Sequence, residues 1–134
     1  MSGLLDTSMV VRYLTGDPQD MAELAASVID REEGLQVTDG VLMETAYVLT
    51  SVYGVRRQSV VDHLILFLQK ENIGTFGLGK DHVFQALLLC RPSGRVSFAD
   101  ALLWAAARST NSKVVYSLDK RFPADGVEVR RSGS

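Results

Sequence analysis

Four short apolar runs punctuate the chain: Leu4-Leu5, Leu35–Thr38, Ile73–Phe76 and Val114–Ser117. Each is as short as a buried strand, and longer stretches with helical spacing separate them. Strands joined only through helices pair in parallel, and the sheet they form is covered on both faces. The helical stretches are Thr7–Thr15, Met21–Glu33, Asp39 to Tyr53, Ser59–Lys70, Lys80–Cys90 and Phe98–Ser109. Glycines close several of them, at Gly16, Gly34 and Gly54. Val127–Val129 is a candidate edge strand. The expected fold class is α/β, a single domain over 1–130 with a short frayed tail at 131–134. No repeat, linker or low-complexity segment interrupts it.

Composition excludes several classes. A chain of 134 residues with 46% hydrophobic and 22% charged content suits one globular domain rather than a disordered segment. No window of eighteen apolar residues offers a membrane span. The start, M-S-G-L-L-D, lacks the basic and apolar regions of a signal peptide. A lone cysteine, Cys90, excludes an internal disulfide and a cysteine-based zinc site. These features lead us to expect a cytoplasmic protein. A net charge of −2 gives no broad basic field, so any binding of nucleic acid is expected to be local.

Parallel sheets bind ligands at the carboxyl ends of their strands, which makes the position of the acids informative. Asp6 follows Leu4-Leu5 directly, and Asp119 comes just after Val114–Ser117. Asp100 opens the apolar helix S-F-A-D-A-L-L-W-A-A-A. Ser97 and Asp100 have the spacing of a capping box, so a purely structural role is also open. Glu44 lies in V-L-M-E-T-A-Y-V-L, one turn beyond a strand end, among neighbours too apolar for an ordinary surface acid. It could equally face solvent beside Thr45. Four converging carboxylates repel one another unless they hold a cation, and oxygen-only ligands favour Mg²⁺ or Mn²⁺. The joint expectation is a metal-dependent phosphodiesterase.

Taken in order, L-L-D-T-S, V-L-M-E-T-A-Y-V-L, S-F-A-D-A-L-L-W-A-A-A and V-V-Y-S-L-D-K-R-F resemble the PIN-domain ribonucleases. The nearest likeness is to the VapC toxins of bacterial toxin–antitoxin pairs. The resemblance covers nearly the whole chain. It implies a three-layer α/β/α domain with a short central parallel sheet and an acidic pocket. It makes Asp6, Glu44 and Asp100 the three core acids and Asp119 the fourth. Ser8 stands where the family often supports the first acid. Ser117 stands where Thr or Ser orders the fourth; Ser for Thr is a mild departure. The resemblance further implies endonucleolytic cleavage of structured RNA, such as tRNA or a ribosomal RNA loop, with Mg²⁺ or Mn²⁺ as cofactor. It also implies a homodimer and a cognate VapB-like antitoxin that blocks the pocket.

Other motifs carry less. G-T-F-G-L-G-K-D, Gly74 to Asp81, nearly spells a phosphate-binding loop, but Asp81 replaces the hydroxyl that would hold Mg²⁺. L-L-D-T-S-M lacks the second acid of haloacid-dehalogenase-type phosphatases, since Ser8 stands there. His63 and His82 read as surface residues. Arg12, Lys120 and Arg121, near the acids in sequence, could steer RNA phosphates or be ordinary surface charge. Arg56, Arg57, Arg91 and Arg95 could form a second RNA-contacting set. The alternative to an enzyme is a PIN-like module that binds RNA or protein without cutting. The filled acid positions favour the enzyme.

Overall fold

The computed structural model describes residues 2–133. Its elements are β1 (Gly3–Leu4), α1 (Thr7–Thr15), α2 (Gln19–Ile29), β2 (Leu35–Thr38), α3 (Asp39–Ser51), α4 (Arg57–Leu68), β3 (Ile73–Phe76), α5 (Lys80–Cys90), α6 (Phe98–Arg108), β4 (Val114–Tyr116) and β5 (Glu128–Arg130). A pair of helices separates each of β1, β2, β3 and β4 from the next, and the strand pairings are parallel, as the expected α/β class requires; β5 follows β4 with no helix between them. The backbone divides into two compact units, one up to Gly77 and one from Leu78.

The first unit holds a three-stranded sheet in the order β1-β2-β3. Its register pairs Leu4 with Gln36 and Val37 with Thr75. β2 is central, and the alternation of L-Q-V-T is visible in it: Leu35 and Val37 are buried, while Gln36 and Thr38 are half-buried. Ile29, Val60, Leu64, Leu68 and Ile73 are among the fully buried side chains of this unit. The second unit holds β4 and β5, paired in parallel with Tyr116 opposite Arg130. Parallel pairing is thus present throughout, but its hydrogen bonds are divided between two short sheets.

Some boundaries differ from the periodicity. α2 starts at Gln19, directly behind Pro18, and stops at Ile29 rather than Glu33. Proline suits the position ahead of a first turn because it offers no N–H to that turn. α4 starts at Arg57, and the last strand is shifted by one residue to Glu128–Arg130. Among the described residues, no helix is long and apolar enough to cross a membrane.

Candidate active site

Leu5 is buried and its N–H donates to the Gln36 carbonyl at 2.9 Å, which carries the pairing of β1 one residue further. The chain then turns at Asp6, whose extended backbone (φ −80°, ψ 156°) makes it the N-cap of α1. Its carboxylate accepts from the Ser8 hydroxyl at 2.7 Å and from the Ser8 N–H at 3.4 Å. The Ser8 hydroxyl, with the N–H behind it, holds the Asp6 carboxyl below its ordinary value of 3.8. Asp6 is therefore ionised at neutral pH.

Thr7, the first residue of α1, is buried, and its hydroxyl donates to Glu44 Oε1 on α3. This bond fixes an otherwise exposed carboxylate on the side of α3 that faces α1. A cleft of about 350 Å³ opens there, lined by Asp6, Thr7, Ser8, Val11, Arg12, Glu44 and Val48. Arg12 is braced at its rim: one Nη donates to the Asp17 carbonyl at 3.2 Å and to the Tyr53 hydroxyl at 3.1 Å. The Tyr53 hydroxyl in turn donates to Asp17 Oδ2 at 3.3 Å. Arg12 Nε is buried without a protein partner. The cleft so holds two carboxylates, two hydroxyls and one guanidinium.

The other two acids lie on the second unit. Asp100 is in the first turn of α6, where its N–H donates to the Ser97 hydroxyl at 3.0 Å, so Ser97 caps the helix. Asp119 lies in the loop after β4. Its N–H donates to the Ser117 hydroxyl at 3.0 Å, and its Oδ1 accepts from the Arg121 N–H at 2.8 Å. The Arg121 guanidinium stands 3.9 Å from the same oxygen, with its side chain 77% exposed. Lys120 is exposed between them.

Among the described residues, no three His, Cys, Asp or Glu side chains are grouped so as to hold a metal ion. Of the four acids expected from the sequence, Asp6 and Glu44 lie on the first unit and Asp100 and Asp119 on the second. Each of three carboxylates accepts from a close donor: Asp6 from the Ser8 hydroxyl, Glu44 from the Thr7 hydroxyl, and Asp119 from the Arg121 backbone N–H. Asp6 and Glu44 share a cleft of the first unit. Two oxygen ligands still fit a hydrated Mg²⁺, which is commonly held by one or two carboxylates and keeps several waters.

Residue-level reading of the sequence missed Thr7, Tyr53 and Asp17. The signal for Thr7 was present, a hydroxyl directly after a strand-end acid. Nothing local marked Tyr53, whose contact with Arg12 spans 41 positions. It also missed Asp39, the first residue of α3, whose half-buried carboxyl is raised by burial. His63 is exposed as expected, while His82 is half-buried with Nδ1 unpartnered.

A search of curated proteins returns no match. The family model described as PIN domain matches residues 3–125.

Proposed function

The chain belongs to the PIN-domain family, and from that premise we propose that it is a Mg²⁺- or Mn²⁺-dependent endoribonuclease of the VapC toxin type. PIN domains are generally metal-dependent nucleases, and the fold is of the nuclease type. The observation that carries the reading is the cleft in which Asp6 and Glu44 stand together, each fixed by a neighbouring hydroxyl. On this reading the substrate is structured RNA, tRNA or ribosomal RNA, and cleavage inhibits translation. A cognate VapB-like antitoxin neutralises the protein, which acts as a cytoplasmic homodimer.

Asp6 and Glu44 would hold the divalent ion, and we propose that Asp100 and Asp119 also take part in metal binding and cleavage. Such an ion, when bound, lowers the pKa of a water and stabilises charge on the phosphodiester. The chain's own contribution is positional. Ser8 aims Asp6 and holds its carboxyl below the ordinary range, and Thr7 holds Glu44 towards α1. Arg12, braced by Tyr53 and Asp17, offers a fixed positive charge for a phosphate beside the acids. Ser117 orders the loop of Asp119.

The absence of a three-ligand group among the described residues favours one other reading, a PIN module that binds RNA or protein without cutting. Cleavage of labelled total cellular RNA by the purified, antitoxin-free chain separates the two. Discrete fragments that need Mg²⁺ or Mn²⁺, disappear with EDTA, and are lost in Asp6→Asn, Glu44→Gln and Asp100→Asn support the nuclease. Cleavage that survives both EDTA and the substitutions would falsify the assignment of the acids. A folded, metal-supplied chain that cuts nothing favours the binding module.

A further inference from the structure

The modest net charge conceals an uneven distribution. The stretch up to Gly77 holds 5 Lys and Arg against 11 Asp and Glu, a net −6; the stretch from Leu78 holds 9 against 5, a net +4. The acidic cleft and the basic surplus therefore belong to different units. Within the basic unit, part of this positive charge follows directly after the strands of the β4–β5 pair, beside Asp119. Lys120 and Arg121 follow β4, and Arg131 follows β5; all three are exposed. The Ser117 N–H donates to the Arg130 carbonyl at 2.9 Å, which keeps these two chain segments side by side beyond the last residue of β4.

The same pair exposes an aromatic ring. Tyr116 is 63% exposed although it lies in a strand, and Leu118 beyond it is 76% exposed. Val115 between strand neighbours is buried, so the pair has one inner face and one outer face. Tyr116 and Arg130 are register partners and share the outer face. Arg130 is held by Glu128, with guanidinium-to-carboxylate distances of 2.7 and 3.2 Å. It is thereby committed to framing Tyr116 and is not one of the cations open to a ligand. An exposed ring flanked by exposed cations, of which Arg121 is 3.9 Å from the Asp119 carboxylate with its side chain 77% exposed, suits a polyanion that also presents flat π-faces, which is the chemistry of unpaired nucleic acid.

We propose that the outer face and carboxyl end of the β4–β5 pair form a binding strip for single-stranded RNA. An unpaired base stacks on Tyr116, and the flanking phosphates contact Lys120, Arg121 and Arg131. The strip rests on the ribonuclease reading for its substrate class, but its residues belong to the second unit, whereas the Asp6–Glu44 cleft belongs to the first, and its grip on RNA needs no metal. It supplies the local basic field that the whole-chain charge conceals. A duplex keeps its bases stacked on one another, so the ring gives it no corresponding grip.

The test is equilibrium binding of the full chain to a short, labelled single-stranded RNA of mixed sequence, and to the same sequence as a duplex. EDTA is present so that metal-dependent cleavage is off. The parent is expected to prefer the single strand. Tyr116→Ala should weaken single-strand binding about tenfold with an unchanged salt slope, since stacking carries no counterion term. Tyr116→Phe, which keeps the ring, should restore most of it. Lys120→Ala with Arg121→Ala should lower the slope of log affinity against log salt by about 1.4, at about 0.7 per phosphate contact for a single strand. Arg31→Ala, an exposed cation of the acidic unit, should change neither. If the ring and cation variants bind like the parent while the parent still cuts RNA with Mg²⁺, the strip is wrong and the nuclease reading stands. If the parent binds single-stranded RNA through these residues but never cuts, the strip stands and the nuclease reading falls. If it neither binds nor cuts, both fall.

Discussion

Thr7 joins the two helices that line the cleft. Its hydroxyl reaches from α1 to Glu44 on α3, and the residue is only 8% exposed. A hydrogen bond to a carboxylate contributes on the order of 1.5–3 kcal/mol when both partners are shielded. Glu44 is exposed, so water replaces part of that contribution in a variant. Thr7→Val keeps the branched shape and removes the donor. We expect it to cost about 1 kcal/mol in a urea melt, yet to slow RNA cleavage about tenfold, because an untethered Glu44 must be re-oriented in every turnover. Thr7→Ser, which retains the hydroxyl, should recover most of the rate. A valine variant with the parent's rate would remove Thr7 from the machinery.

At the scale of the elements, one clasp joins three helices of the acidic unit. The Tyr13 hydroxyl of α1 donates to Asp30 Oδ1, beyond α2, at 2.6 Å. Lys70, beyond α4, stands 3.2 Å from the same oxygen, and its ammonium lies 5.9 Å from the centre of the Tyr13 ring. The Tyr13 hydroxyl first, and Lys70 after it, hold the Asp30 carboxyl below its ordinary 3.8. A depressed carboxyl stabilises the fold above its unfolded value, and that stability is lost as pH falls through the folded value. Asp30→Asn should therefore lower the melting temperature at pH 7, by the equivalent of about 0.5 kcal/mol given the exposure of the pair. The difference from the parent should vanish once the pH is well below 3.8. Thermal melts across that range decide it. The clasp also explains a boundary that the sequence concealed. Periodicity carries α2 to Glu33, but the helix ends at Ile29, where Asp30 is drawn to Tyr13 and the chain tightens so that the Arg31 N–H returns to the Val28 carbonyl at 3.2 Å. A contact across 17 positions leaves no local mark. Boundaries set by local chemistry were legible: α1 stops at Gly16, whose φ of 69° suits glycine, and α6 starts at its Ser97 cap.

For the whole molecule, the order of strands and acids was readable because each acid sits beside a strand end or within an apolar helix, and those patterns are local. What each carboxylate does there was not, because it depends on which donor reaches it first. Thr7 and Ser8 fix Glu44 and Asp6 in one cleft, while Asp119 is taken up by its own loop. This contrast gives a prediction that needs no RNA. An ion that binds only the folded chain raises its stability by RT ln(1 + [L]/Kd), about 2.7 kcal/mol when the ion is at a hundred times its Kd. Mg²⁺ at fixed ionic strength should therefore raise the melting temperature in a concentration-dependent way. Asp6→Asn and Glu44→Gln should each abolish most of that rise, since each removes one of the two carboxylates that share the cleft. Asp100→Asn measures the part taken by the second unit. A smaller rise than the parent's makes Asp100 a participant in holding the ion. A full rise, combined with lost cleavage, gives it a role in the reaction but none in binding the metal. A full rise with full cleavage leaves Asp100 as an acid in the first turn of α6, where Ser97 and the helix dipole already account for it.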